Sequence, residues 1–203
     1  FNRPEKRNCM SPKLNRQMGR VIAELEFRED VKVLVLTGEG DAWSAGMDLK
    51  EYFRETEAEG LWSIRKAQRE AYSWWERLRW YEKPTIAMIR GYCIGGGLNL
   101  AICCDMRYAT EASRFALPAA KLGLGYGYQG LRRYIETIGP VATKEIFFTA
   151  RQLTAAEALR WNMVNTVVAD DALEATVMGV ANTIADNAPL TIATIKRSTV
   201  EIL

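Results

Sequence analysis

Short apolar runs alternate along this chain with segments patterned at helical spacing. Residues 84–89 form a β-branched apolar run behind Pro84 and predict a buried strand. Residues 31–36 predict another, so continuously apolar that burial on both faces of a parallel sheet is expected. Ser11 as N-cap and Pro12 at the first helical position predict a helix whose apolar face is Leu14, Met18, Val21, Ile22 and Leu25. Residues 49–81 are polar and aromatic and read as helical, with 51–60 acid-rich, aperiodic and expected to be mobile. Further on, 105–109 and 164–168 read as strands, and 131–138, 140–148 and 172–187 as helices. Thr154 with Glu157 forms a capping box opening a helix over 155–162, and Pro189 starts a last helix running to the chain's end. Strands alternating with helices make this α/β, and no repeat or linker divides residues 1–203.

The pattern is organised around Gly95-Gly96-Gly97, set between an apolar strand and a helix carrying Leu98, Ala101 and Ile102. Adjacent glycines let main chain approach a ligand with no Cβ in the way. A helix start also leaves amides unpaired at the positive end of the dipole, where an anion or a transient oxyanion is favoured. Close packing alone explains the same glycines. The small residues Ser44, Ala45 and Gly46 follow another strand, at the end where ligands gather in open α/β sheets; a tight loop before a helix is the alternative. Trp62, Tyr72, Trp74, Trp75, Trp80 and Tyr81 either line an aromatic acyl pocket or pack helices together.

Composition narrows the chemistry. The 203 residues carry a net charge of +2 with no long basic run, which argues against a nucleic-acid binder. No apolar stretch is long enough to span a membrane, and no signal peptide is visible. The chain has no histidine, which excludes Cys-His zinc sites and histidine triads. No metal site is expected. Cys9, Cys93, Cys103 and Cys104 form no disulfide framework, so a cytoplasmic compartment is the expectation. The glycine motifs that mark nucleotide-binding α/β domains are also absent.

Four stretches together resemble the crotonase (enoyl-CoA hydratase/isomerase) superfamily: residues 2–8, Ser44-Ala45-Gly46-Met47-Asp48-Leu49, Gly95-Gly96-Gly97, and Phe115-Ala116-Leu117-Pro118 leading to the glycine-rich loop 123–130. The resemblance implies a spiral of ββα units with C-terminal helices, here without the family's first strand and last helices. It implies an acyl-CoA thioester substrate, coenzyme A as part of that substrate with no permanently bound cofactor, and a homotrimer or dimer of trimers. Carried over by position, the amides of Met47 and Gly96 would form an oxyanion hole, stabilising an enolate. Arg3, Lys6, Arg7, Ala45, Met47, Asp48 and Leu49 would contribute to the coenzyme A site.

Residues 30–54 and the tract from Pro84 are most similar to the hydroxycinnamoyl-CoA hydratase-lyases, so hydration of an enoyl- or aryl-enoyl-CoA is the leading expectation. The pattern departs at two positions. Asn99 and Ala119 stand where hydratases of this family carry glutamates; Asn99 can orient a water but cannot ionise, and Ala119 can do neither. The later half resembles the methylmalonyl-CoA decarboxylase branch, in which Tyr126 matches an active-site tyrosine and Met47 replaces a histidine. Tyr126 or Tyr128 as a proton donor, decarboxylation or hydrolysis, and a catalytically silent CoA-binding role therefore stand beside hydration.

Overall fold

The computed structural model describes residues 1–203. Ser11 Oγ accepts from the Leu14 amide and Pro12 fills the first position, so α1 (Pro12–Leu25) begins where its cap dictates. Strands β1 (Leu34–Thr37) and β2 (Ala42–Ser44) follow, then a π-helical turn at Leu49–Arg54, α2 (Glu55–Ala58) and α3 (Leu61–Arg79). The next pairs repeat this order: β3 (Thr85–Ile89), β4 (Tyr92–Ile94) and α4 (Gly96–Cys103), then β5 (Met106–Thr110), β6 (Arg114–Ala116) and α5 (Ala119–Leu122). The chain closes with α6 (Tyr128–Thr149), β7 (Leu153–Thr154), α7 (Ala155–Arg160), β8 (Thr166–Val168), α8 (Leu173–Ala185) and α9 (Pro189–Ile202).

The strands form two four-stranded sheets, β1-β3-β5-β8 and β2-β4-β6-β7. All pairs are parallel except β6 with β7. The first strand of each early pair joins one sheet, the second joins the other, and a helix returns the chain. This is the ββα spiral that the resemblance implies. Alternation along β3 shows how the core divides: Ala87 and Ile89 face the main cluster with Trp43, Leu98 and Phe115, whereas Ile86 packs with Tyr108 beneath Leu173 and Val177 of α8. No helix is long and apolar enough to cross a membrane.

Several expectations need correction. The strand expected over 31–36 occupies Leu34–Thr37, because pairing with β3 begins at Leu34 opposite Thr85. It lies at a sheet edge, and only Leu36 is fully buried, so apolar continuity does not mark a central strand here. The strand entering the glycine turn is β4; residues 84–89 supply β3 of the other sheet. Residues 51–60 are largely helical, as expected for 49–81, and Asp48 Oδ1 accepts from the Lys50 and Glu51 amides and caps the π-helical turn. Val21 is exposed, since α1 turns Leu14, Asn15 and Ile22 inward instead. Gly139, at φ +76° before Pro140, breaks α6 into two arms matching the two expected helices.

Candidate active site

The site is assembled from the loop after β2 and the start of α4. Within that loop almost every amide is occupied. Ala45 N donates to Arg7 O at 2.8 Å, Gly46 N to Ser44 Oγ at 3.1 Å, and Asp48 N to Met10 O at 3.0 Å. Met10 N in turn donates to Gly46 O at 2.7 Å, and Ser44 Oγ to Asn8 O at 2.9 Å. The Met47 amide donates to no acceptor in the protein. At the glycine turn, Gly95 N is taken by Ala116 O at 2.8 Å, and the Gly96 amide, first of α4, is again without a protein acceptor.

These two segments meet backbone to backbone. A Cβ on Gly97 would lie 2.5 Å from Ser44 O, and one on Gly46 would lie 2.8 Å from Ile94 O and 3.0 Å from Gly96 N. Gly46 also adopts φ +96°, a conformation side chains disfavour, so both positions require glycine for space, and Gly46 for conformation as well. Met47 Cγ and Sδ sit 3.1 Å from where a Gly96 Cβ would be. The loop's one free amide therefore belongs to the residue packed on the glycine turn that holds the other.

Burial along α4 defines which face is open. Gly97, Leu98, Leu100, Ala101, Ile102 and Cys103 are buried, leaving Gly96 and Asn99, three residues apart and so on one face. Asn99 Nδ2 donates to Tyr126 Oη at 3.0 Å, and its Oδ1 accepts from Tyr134 Oη at 2.7 Å. Both tyrosine rings stand edge-on to Phe147, with centroids 4.7 and 5.2 Å away. Burial pushes the Tyr126 hydroxyl up to about 12, an effect opposed by the Asn99 hydrogen bond and reinforced by Tyr72. Ala119 is buried at the start of α5, beside Pro118, whose Cδ lies 3.9 Å from the Cβ position of Gly95. No carboxylate stands at Asn99 or Ala119.

The other expected site residues have these contacts within the protein. Arg3 donates to Cys9 O at 3.1 Å, to Asp48 at 3.4 Å and to Glu51 at 2.7 Å, so its guanidinium is already engaged by carboxylates. Asp48 is buried. Burial opposes its charge, but hydrogen bonds from the Glu51 amide, the Cys9 thiol and the Lys50 amide, with Arg3 nearby, hold its carboxyl below the usual range. Lys6 and Leu49 are exposed, and the Arg7 guanidinium lies 5.1 Å above the Tyr92 ring. Trp74 and Tyr81 are core residues, with Trp74 Nε1 on Asn15 Oδ1 and Tyr81 Oη on Ile22 O. Trp62 and Trp80 face solvent, so the six aromatics do not line one acyl pocket. Tyr128 is also exposed, so of the two expected tyrosines only Tyr126 bonds to Asn99. Two surface cavities of about 300 and 290 Å³ lie elsewhere, neither lined by Met47, Gly96, Asn99 or Tyr126. Tyr134 was not foreseeable from spacing, because its polar partner is 35 residues away.

Over residues 1–202 the chain matches the family model described as Enoyl-CoA hydratase/isomerase. The chain belongs to the enoyl-CoA hydratase/isomerase family. Hydroxycinnamoyl-CoA hydratase-lyase of Pseudomonas fluorescens is 42% identical over 166 residues, 81% of this chain but only 60% of that enzyme. Short-chain-enoyl-CoA hydratase of Clostridium acetobutylicum is 35% identical over 98% of this chain and 75% of its own length. The crystal structure of an enoyl-CoA hydratase/carnitine racemase from Magnetospirillum magneticum superposes with TM-score 0.92 at 30% identity, covering 99% of this chain and 75% of that one. Within this family membership, the motifs separated in sequence are brought together: residues 7 and 8 bond to 45 and 44, 46 and 47 pack on 96, and 126 reaches 99.

Proposed function

We propose that the chain acts on an acyl-CoA thioester, with the Met47 and Gly96 amides donating to the thioester carbonyl oxygen. The supporting observation is the pair of amides without protein acceptors on two loops in backbone contact. When water adds to the β-carbon of an enoyl ester, the electron pair moves through the α-carbon onto that oxygen. Donors aimed there stabilise the enolate more than the substrate, and losing one typically costs ~10²–10³ in rate. Collapse of the enolate takes a proton at the α-carbon. Tyr126 supplies it, and the proton released by the attacking water returns to the same phenol oxygen. Asn99 orients the water.

Hydration, followed for an aryl-enoyl ester by retro-aldol release of an aldehyde, is the preferred reaction, because the hydratase-lyase similarity is the highest of those described. Decarboxylation of a malonyl-type ester is the second reading. It is favoured by Asn99 and Ala119, since loss of carbon dioxide creates the enolate without a base. Assembly as a trimer or dimer of trimers and a cytoplasmic setting accompany either reading. The test is incubation with enoyl-, aryl-enoyl- and malonyl-type CoA esters. Loss of enoyl absorbance or appearance of aldehyde supports hydration, and release of carbon dioxide supports the second reading. Tight binding without turnover on every ester would sink both.

A further inference from the structure

We propose that Tyr134 is a positioning residue that keeps Tyr126 set as a proton donor, acting through the Asn99 amide; this rests on the reading of Tyr126 as the acid. Tyr134 is fully buried on α6, and its hydroxyl has one hydrogen-bond partner, Asn99 Oδ1 at 2.7 Å. An amide oxygen only accepts, so the Tyr134 proton lies on that bond. The other end of the amide only donates, and it meets Tyr126 Oη at 3.0 Å. The Tyr126 oxygen is thus a receiver in this chain, and its own proton has no acceptor in the protein. It remains available to a substrate.

The opposite amide orientation is disfavoured by the same geometry. A flipped Asn99 would aim Nδ2 at Tyr134 and leave that buried hydroxyl proton with nowhere to go. It would also place Oδ1 beside Tyr126, where it would accept the proton that the reaction needs. Tyr134 therefore selects the productive orientation without touching the substrate. Phe147 holds both rings edge-on, so removing the Tyr134 hydroxyl leaves the ring contacts in place.

The test compares Tyr126→Phe, Tyr134→Phe and the double variant on whichever CoA ester the unmodified protein turns over, with thermal melts alongside. Tyr126→Phe should lose ~10²–10⁴ in kcat, the usual contribution of a positioned proton donor. Tyr134→Phe should lose roughly tenfold or more in kcat with KM nearly unchanged, and the double variant should be no slower than Tyr126→Phe, because coupled groups are non-additive. Asn99→Asp is the second arm. An ionised carboxylate accepts from both phenols, so activity should fall toward the Tyr126→Phe level with both tyrosines intact. A Tyr134→Phe variant at wild-type kcat beside a crippled Tyr126→Phe overturns this inference alone. Losses that multiply in the double variant, or an Asn99→Asp variant at full activity, do the same. Undiminished turnover by Tyr126→Phe, or no turnover by the unmodified protein, removes the underlying reading as well.

Discussion

Replacing Gly46 by alanine tests whether the two loops hold the Met47 and Gly96 amides in register. The new Cβ would lie 2.8 Å from Ile94 O and 3.0 Å from Gly96 N, so each pair must separate to reach ordinary contact at 3.4 Å, by roughly 0.6 Å for the carbonyl. Productive geometry at a site tolerates only about 0.5 Å. Both clashing atoms belong to main chain at the glycine turn, which a rotamer change cannot relieve. At φ +96° the alanine also carries backbone strain of about 2 kcal/mol, equivalent to a melting temperature lower by roughly 4–8 °C. With one donor displaced, kcat should fall by ~10²–10³, while CoA ester binding, measured by calorimetry, weakens far less. The assay is steady-state turnover on the active ester, at a temperature where circular dichroism shows the variant folded. A folded Gly46→Ala protein with kcat within about threefold of wild type would refute the argument that this contact sets the amides.

Three further outcomes follow from the scaffold. Arg107 is buried and donates to Met163 O at 2.7 Å and Cys104 O at 2.6 Å, so Arg107→Leu should cost roughly 3 kcal/mol by leaving both carbonyls unpaired, read from the urea midpoint. The Thr154 amide, then the Arg151 guanidinium, hold the Glu157 carboxyl down at about 2; its stabilising effect is full above about pH 4.5, fades as pH falls toward 2, and Glu157→Gln should flatten that acid limb of the stability curve. Lys196 Nζ donates to Leu78 O, Lys83 O and Asp105 Oδ2 from α9, a helix that buries no residue fully, so Lys196→Met should speed amide exchange across Pro189–Ile202 while α4 stays protected.

What the sequence made legible was local. Ser11 with Pro12, Thr154 with Glu157, and Gly139 with Pro140 mark boundaries through bonds or dihedrals spanning a few residues, and each boundary appears in the fold. The juxtaposition of loops 44–47 and 95–97 was legible only through resemblance, because small residues at two distant sites carry no register information by themselves. Side-chain partners across the fold were not legible. Trp74 and Tyr81 look like pocket-lining aromatics until α1 supplies Asn15 and the Ile22 carbonyl, 59 residues distant in both cases. The carboxylates paired with Arg3 were likewise not legible, since Asp48 and Glu51 lie 45 and 48 residues away. Tyr134 follows the same rule, since a helix pattern records that a tyrosine is buried and leaves its hydroxyl partner unspecified.

The proposed oxyanion hole is hydrogen bonding from the Met47 and Gly96 amides to one carbonyl oxygen, and isotope-edited infrared spectroscopy reads that bond in the bound substrate. With an enoyl-CoA labelled at the thioester carbonyl, the carbonyl stretch should move to lower frequency on binding and return most of the way in Gly46→Ala. A stretch that is the same bound and free in the unmodified protein would contradict the oxyanion hole.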